Sequence, residues 1–281
     1  MKMIAILIIL YDKEISESAT VSSLLKSGLI GAKVVLHNNG PCEISISGEQ
    51  QKTFEASGND FVLVNCISNE PLSVVYNDFV RDNSHCDVFS FFDDDSTIPE
   101  KYSTIIGEKG GEIELPKIMS RIDNKIYYPL VDEVVFNEDG LIFGGNIFSI
   151  GSGLTLTKGV VAKFIKNKMD LFDEHYALYG VDFSFFRRLH ALQVKGEVFS
   201  ISSSFTLLHS LSKIESVQSK FRHNERLIDF ALTVRHYPST RLYLAFIKKI
   251  ILCLFKLNVN DCVLLLKTFL MGTHPRCAKY K

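Results

Sequence analysis

Three consecutive acids, Asp93, Asp94 and Asp95, directly follow the apolar run FSFF at 89–92. Side chains two positions apart in an extended segment point to the same side, so we expect Asp93 and Asp95 to converge and Asp94 to point away. Two converging carboxylates form a hard oxygen site that suits Mg²⁺ or Mn²⁺. An ion in such a site ordinarily binds a phosphate or diphosphate group, so the spacing predicts metal-assisted chemistry. A polar turn without a ligand is the alternative.

The same segment contains the pattern D-x-D-x-T, through Asp93, Asp95 and Thr97. That pattern resembles the nucleophile motif of the haloacid-dehalogenase-type phosphatases, in which the first Asp attacks phosphorus and the second is the acid/base. In that family the motif usually closes the first strand, and a later acidic G-D-x-x-x-D-like loop is needed. Here the acids follow the fourth predicted strand and no such loop is found, so a phosphatase is the alternative function.

The elements before the acids predict a parallel sheet. Buried strands are predicted for the apolar runs at 3–11, 32–41, 60–66 and 86–92, and helices at 15–28 and 70–83. Strands that alternate with helices imply an open, mostly parallel α/β sheet, which binds ligands at the carboxyl ends of its strands. The acids stand at such an end, which favours a site over an ordinary loop.

The pattern changes after the acids. Residues 98–150 contain short alternating segments that are typical of antiparallel strands. A glycine-rich turn is predicted at 150–157, two helical pieces around LYG within 158–192, one strand at 196–209, and helix from about 214 onward, divided by Pro238.

The chain has 281 residues and a net charge of −1, which suits one large domain or a domain with an appendage. Its six cysteines show no C-x-x-C or zinc-site spacing, and this favours a reduced, cytoplasmic compartment. The N-terminal MKMIAILIIL is predicted to be a strand and not a signal peptide, because DKE follows at once.

Charge is concentrated at the C-terminus. Residues 213–281 carry 13 lysines and arginines but four acids, and the segment 242–257 mixes apolar with basic side chains. This balance predicts contact with an anionic partner, an anionic lipid surface or another polyanion. A solvated helical face and a helix packed on the catalytic domain are the alternatives. The acidic body and the lack of a nucleic-acid-binding motif argue against nucleic acid as a partner.

The order of parts over residues 3–210 resembles family 2 glycosyltransferases of the GT-A fold, especially rhamnosyltransferase-like enzymes of bacterial surface polysaccharide synthesis. The first strand leads into Tyr11 and Asp12, which look like that family's nucleotide-contacting loop. VVLHNNG is similar to its second strand, with Asn38 where an Asp is usual. SVVYNDF contains the family's helical Asn, here Asn77, and FFDDDS is similar to its metal-binding D-x-D.

The second half of the chain extends the resemblance. The stretch 171–199 is similar to the family's F-D-E … D-x-x-x-x-x-R … G pattern. Asp182 falls on the position of the catalytic base and Arg188 on the following Arg. His209 matches a late His that completes the metal site in some members. Asp182 also precedes a helical pattern, so a helix N-cap is the alternative to a base.

The resemblance implies an inverting transfer of a hexose, rhamnose in particular, from a dTDP- or UDP-linked donor to a hydroxyl of a glycan. The acceptor would be lipid-linked O-antigen or capsule. Asp182 would be the base, Asp93, Asp95 and His209 would bind Mg²⁺ or Mn²⁺, and the donor-binding residues would be Tyr11, Asp12, Asn38, Asn77, Asp93, Asp94 and Arg188.

The resemblance also implies two regions, a GT-A domain over 1–212 and a basic helical region over 213–281. The basic helices would bring the protein, as a peripheral protein, to the cytoplasmic face of the cell membrane. A nucleotide-sugar-binding module without catalysis is a further alternative.

Overall fold

The structure is a computed structural model, and it describes residues 2–107, 111–211 and 219–280. The strands of these residues are β1 (Ile4–Leu10), β2 (Ala32–Asn38), β3 (Asp60–Asn65), β4 (Val88–Asp93), β5 (Ile113–Glu114), β6 (Lys117–Ser120), β7 (Ile126–Tyr128), β8 (Leu130–Val131), β9 (Val134–Val135), β10 (Gly140–Ile142), β11 (Ile147–Phe148), β12 (Thr155–Thr157), β13 (Ile201–Ser203) and β14 (Thr206–His209).

The α-helices of the same residues are α1 (Ala19–Leu24), α2 (Gly48–Ala56), α3 (Leu72–Asp82), α4 (Tyr102–Gly107), α5 (Lys158–Lys166), α6 (Val181–Val194), α7 (Lys220–His236), α8 (Thr240–Phe255) and α9 (Val259–Met271). No helix among them is both long enough and apolar enough to cross a bilayer.

An eight-stranded sheet has the order β10-β13-β5-β12-β4-β1-β2-β3. Every side chain of β1 is buried, as expected for a strand covered on both faces. Strands β4, β1, β2 and β3 run parallel, with Ile9 opposite Asp93 and Leu10 opposite Asn38. The carboxyl ends of β1, β2 and β4 therefore lie at one edge, as the sequence predicted. Strand β12 runs antiparallel to both β4 and β5, which makes the sheet mixed.

Two three-stranded sheets complete the strands, with the orders β14-β6-β7 and β11-β8-β9. The first of them matters for the site because β14 ends at His209, opposite Ser120 of β6. The Thr97 amide donates to the Leu208 carbonyl at 2.8 Å, in an isolated antiparallel bridge. This bridge joins the segment just after the three acids to β14.

The single strand predicted for 196–209 is wrong, because β13 and β14 belong to different sheets. The chain turns between them, where the Ser204 amide donates to the buried Glu114 carboxylate at 2.5 Å. The alternation of apolar and polar residues continues through this turn, so the pattern does not reveal the break.

Some helix bounds also differ from prediction. The helix predicted at 15–28 is a 3₁₀ turn followed by the short α1, whose N-cap is Ser18. Residues 167–180 are not helical, so α5 and α6 are farther apart than predicted. Helices α2 and α4 were not predicted. The predicted division at Pro238 is confirmed, because it lies between α7 and α8.

The chain divides into two compact units. The first consists of Met1–Asn69, Asp78–Leu171 and Arg188–Glu215, and it contains the strands. The second consists of Glu70–Asn77, Phe172–Arg187 and Ser216–Lys281. The domain boundary predicted between 212 and 213 lies outside the described residues.

Candidate metal centre

The three acids stand where β4 leaves the sheet. Asp93 is the last residue of β4, and its amide donates to the Ser152 hydroxyl at 3.1 Å. The buried Thr20 hydroxyl donates to the Asp93 carbonyl at 2.5 Å and accepts from the Ser96 amide at 2.9 Å. These bonds fix the backbone on both sides of Asp94 and Asp95. The segment is a turn rather than the extended strand assumed from sequence.

His209 reaches the acids from the end of β14. Its Nδ1 atom lies 3.0 Å from Oδ1 of Asp95, and its Nε2 atom lies 3.8 Å from Oδ2 of Asp93. One ligand atom from each of these residues lies within 4.8 Å of the other two. The structure thus brings together the three residues predicted to bind a metal ion.

Two serines orient the imidazole. Nδ1 of His209 lies 2.9 Å from Oγ of Ser96, which is 2.7 Å from Oγ of Ser152. In the tautomer with the hydrogen on Nδ1, Ser96 accepts that hydrogen, and Nε2 is then the nitrogen on the side of Asp93. A metal-binding histidine is usually held in this way, with its second nitrogen bonded to a neighbour.

The chemistry of the cluster suits a divalent cation. Oδ1 of Asp95 is buried and makes no hydrogen bond of regular geometry, although Nδ1 of His209 lies 3.0 Å away. Burial alone would raise the pKa of Asp95, but His209 and the charge of Lys13 offset this and lower it, so the carboxyl is ionised. Carboxylates suit Mg²⁺ or Mn²⁺, so Asp93, Asp95 and His209 are the residues that would hold such an ion.

Asp94 points away from the cluster, as predicted, and pairs with Lys13. The Nζ–Oδ1 distance is 2.6 Å. Burial raises the pKa of the Asp94 carboxyl, and Lys13 partly offsets that effect. Sequence reasoning did not find Lys13, although it follows the predicted loop residues Tyr11 and Asp12 directly.

Arg121 is a second basic residue beside the acids, after Lys13, that the sequence did not reveal. Its guanidinium donates to the Asp95 carbonyl at 2.9 Å and to the Thr97 hydroxyl at 2.6 Å. The side chain therefore braces the acidic turn from outside. Arg121 follows β6 in the sequence, and only the pairing of β6 with β14 brings it to the acids.

Three predicted donor-binding residues lie at the same edge of the sheet. Tyr11 and Asp12 are exposed after β1, and the Asp12 amide donates to the Gly40 carbonyl at 2.8 Å. Asn38 is buried, and its amide group donates to the Cys42 carbonyl and to Oδ1 of Asn65, both at 2.7 Å. Asn38 therefore holds the loop that follows β2.

The other predicted site residues, Arg188, Asn77 and Asp182, are not part of the cluster of Asp93, Asp95 and His209. Arg188, in the first unit, donates to the Asp170 carbonyl at 2.7 Å. Asn77 and Asp182 belong to the second unit. The Asn77 amide group donates to the Phe172 carbonyl at 2.9 Å.

Asp182 lies within the first turn of α6, after the first helical residue, rather than at the N-cap position of the alternative. A carboxylate there is stabilised by the helix dipole.

The sheet order, the acids at the end of β4 and the added helices define a GT-A-like glycosyltransferase fold. This confirms the predicted fold class, including the helical C-terminal appendage. No protein-family model and no curated protein sequence matches the chain.

Solved glycosyltransferases are similar to the chain in structure. TarS of S. aureus has a TM-score of 0.53 at 13% identity, over 83% of this chain and 40% of that one. TarS 1-349 has a TM-score of 0.52 at 10% identity, over 97% and 93%. GalNAc-T7 with UDP, GalNAc and Mn²⁺ has a TM-score of 0.54 at 11% identity, over 83% and 47%. The matched part thus spans less than half of the TarS chain in the first of these structures and of the GalNAc-T7 chain.

At these identities the similarity establishes the fold, and activity has to be argued from the site. The phosphatase alternative loses support, because the first strand of this sheet ends at Leu10 and not at the acids.

Proposed function

We propose that the protein is a metal-dependent, inverting glycosyltransferase that uses a nucleotide-diphosphate sugar. The observation that best supports this proposal is the cluster of Asp93, Asp95 and His209 at the carboxyl edge of a GT-A-like sheet. In an open α/β sheet that edge is where ligands bind. The Mn²⁺ and UDP in the GalNAc-T7 structure suggest the same class of ligands for this chain.

The metal, Mg²⁺ or Mn²⁺, would supply positive charge that neutralises a departing diphosphate. Asp93, Asp95 and His209 would hold it, and Ser96 would keep the His209 imidazole oriented. Lys13 and Arg121 add positive charge beside these ligands. Tyr11, Asp12, Asn38, Asn77, Asp94 and Arg188 are proposed as the residues that position the donor, directly or through the loops they hold.

Asp182 is proposed as the general base. Its carboxylate would accept the proton of an acceptor hydroxyl while that oxygen bonds to the anomeric carbon. The bond from this carbon to the diphosphate oxygen would break in the same step, and the nucleoside diphosphate would leave. A single displacement inverts the configuration at the anomeric carbon and needs no covalent intermediate.

The finer assignment follows the sequence resemblance. We propose membership of family 2 and a hexose donor, with dTDP-rhamnose and UDP-hexoses as the donors to compare. The acceptor would be a glycan on a lipid carrier, of the O-antigen or capsule kind. Such an acceptor would place the protein at the cytoplasmic face of the cell membrane. We also propose that residues 1–212 carry the activity and that residues 213–281 form a separate region.

A metal-binding measurement tests directly whether Asp93, Asp95 and His209 form a metal site. Mn²⁺ would be titrated into chelator-treated protein and followed by the electron paramagnetic resonance signal of the free ion. We expect one strong site in the wild type and at least a tenfold weaker one in Asp95→Ala. Asp94→Asn is the matched control and should change affinity less than threefold. Equal binding by the wild type and Asp95→Ala would remove the proposed centre.

Donor use separates a transferase from a binding module. Thermal unfolding would be measured with UDP, dTDP, GDP and CDP, each with and without Mn²⁺. We expect one base to raise the melting temperature, and only when Mn²⁺ is present. The corresponding nucleotide sugar should then release nucleoside diphosphate in the presence of an acceptor glycan. Binding without product would favour the module.

A further inference from the structure

The three C-terminal helices of the second unit pack on one another through a common core. Helix α7 contributes Leu227, Ala231 and Val234, α8 contributes Phe246 and Cys253, and α9 contributes Cys262 and Leu265. Each helix therefore buries one apolar face within this unit. This packing accounts for only part of the apolar residues of α8 and α9.

A second apolar face on α8 and α9 is exposed. On α9, Val259, Val263, Leu266 and Leu270 follow one another at intervals of three or four residues and are exposed. On α8, the exposed residues Leu244, Ile247, Ile251 and Leu254 have the same spacing. Side chains at these intervals line one side of a helix. We call these eight residues, with Phe255 and Leu257, the apolar face.

The end of α8 and the turn that follows it are the most exposed part of this face. Phe255 is 83% exposed and Leu257 is 86% exposed, and Lys256 stands between them. Leu257 has a φ of +52°, a conformation that is costly for a leucine. Exposing large apolar side chains to water at the tip of a helical hairpin is unfavourable. This arrangement therefore favours contact of the tip with an apolar environment.

The charged side chains of the α8–α9 hairpin are mostly basic. Residues 240–271, all of them described, contain five basic residues, Arg241, Lys248, Lys249, Lys256 and Lys267. Their one acid, Asp261, accepts from Nε2 of His223 at 2.8 Å and has a side chain only 13% exposed. The face thus combines apolar side chains with cations and no exposed carboxylate.

This combination favours an anionic lipid surface over a second copy of the chain. Two identical faces placed together would bring lysines near lysines without a compensating acid. Anionic headgroups satisfy the cations while the acyl region takes up the apolar side chains, as for other interfacial helices.

We propose that the α8–α9 hairpin is a membrane-docking element, with Phe255 and Leu257 inserted among the lipids and Lys248, Lys256 and Lys267 on their headgroups. The proposal makes specific the membrane contact included in the proposed function. It stands on the hairpin alone and does not depend on sugar transfer.

Vesicle flotation of the full chain tests the proposal. Vesicles of phosphatidylcholine alone would be compared with vesicles that contain 30% phosphatidylglycerol. We expect binding to the anionic vesicles, at least a tenfold weaker partition for the double variant Phe255→Ser/Leu257→Ser, and a similar loss for Lys248→Glu/Lys256→Glu. The matched control is Val134→Ser/Phe143→Ser, which removes two exposed apolar side chains of the first unit and should bind like the wild type.

Two results would overturn the proposal. One is equal flotation of the wild type and Phe255→Ser/Leu257→Ser. The other is a wild-type dimer in light scattering that becomes a monomer in this variant, with no vesicle binding by either. Mn²⁺ affinity, measured on the same samples, should be unchanged in all variants. Failure of docking is therefore distinguishable from failure of the metal centre.

Discussion

Nζ of Lys13 lies 2.6 Å from Oδ1 of Asp94, so the middle acid of the three has a cation of its own. Asp93 and Asp95 remain beside His209. This pairing separates the acid that stabilises the loop after β1 from the two acids that lie beside His209.

The pair predicts a modest effect on stability. Lys13→Met should lower the free energy of unfolding by about 1 kcal/mol, because it leaves a partly buried carboxylate without its partner, while the partial exposure of Lys13 limits the loss. Urea unfolding of Lys13→Met, Asp94→Asn and the double variant would measure it. Purely additive single effects would show that the two side chains do not interact.

His209 should matter for the metal and not for the fold alone. His209→Asn should weaken Mn²⁺ binding about tenfold or more, because it removes the proposed imidazole ligand, while secondary structure is kept. His190→Asn changes an exposed histidine of the first unit and is the matched control. If both variants bind Mn²⁺ like the wild type, the imidazole is not a ligand.

Asp182→Asn should separate catalysis from binding. General-base catalysis contributes roughly 10²–10⁴ in rate, so turnover with acceptor should fall by about that factor while nucleotide affinity stays the same. Asp170→Asn, which changes an exposed acid and keeps the carbonyl that Arg188 contacts, is the control. A variant within severalfold of wild-type turnover would assign the base elsewhere.

Gly153 is required by its surroundings. Its φ is +85°, and a Cβ there would lie 2.4 Å from Cγ of Pro116, so Gly153→Ala should destabilise the protein by about 2–4 kcal/mol. Gly31→Ala is the control, because Gly31 has a φ of +75° but a Cβ there would meet no neighbouring atom within 4 Å. This substitution should cost about 1 kcal/mol. Thermal unfolding of the two variants separates the cost of backbone strain, which both share, from the cost of the steric clash at Gly153. Equal losses of stability in the two variants would contradict the clash.

Tyr102 links stability to alkaline pH. Burial raises its pKa to about 12, although its hydroxyl donates to Oγ of Ser90 at 2.9 Å. Because the folded pKa lies above the unfolded value of about 10, the stabilising term is complete below pH 10 and lost between about pH 10 and 12, roughly 2–3 kcal/mol.

Tyr102→Phe should therefore be about 1 kcal/mol less stable at pH 8, where it lacks the hydrogen bond, but less sensitive to pH between 10 and 12. Urea unfolding at several pH values would show this. Tyr243→Phe, at an exposed position of α8, should follow the wild type. An unchanged pH slope in Tyr102→Phe would be the contrary result.

The parallel half of the fold could be predicted because each element has a local signal. Strand β1 is apolar throughout, and Val75, Tyr76 and Phe79 recur at helical spacing in α3. Helix α2 has no such signal, because its sequence GEQQKTFEA buries only Phe54.

The antiparallel additions depend on contacts between distant segments. Nothing near 155–157 indicates that β12 lies between β4 and β5, and nothing within 196–209 indicates two sheets. Pairing partners are a tertiary property that a periodic pattern does not carry.

The candidate site shows the same limit. The acids were visible from sequence because adjacent like charges after an apolar run are unusual. Lys13, Arg121 and Ser152 reach the acids through the fold alone. The sequence predicts Ser152 only as part of a turn, yet its hydroxyl accepts from the Asp93 amide and lies 2.7 Å from the Ser96 hydroxyl.

The position of β14 in the chain has a consequence for synthesis. Strands β1–β4 are complete at Asp93, whereas His209 closes the last strand of the first unit. Domains fold as the polypeptide emerges from the ribosome. Asp93 and Asp95 are therefore synthesised well before His209, whose imidazole lies beside them in the folded protein. A translation product stopped before residue 206 would lack β14 and therefore His209, the proposed third ligand.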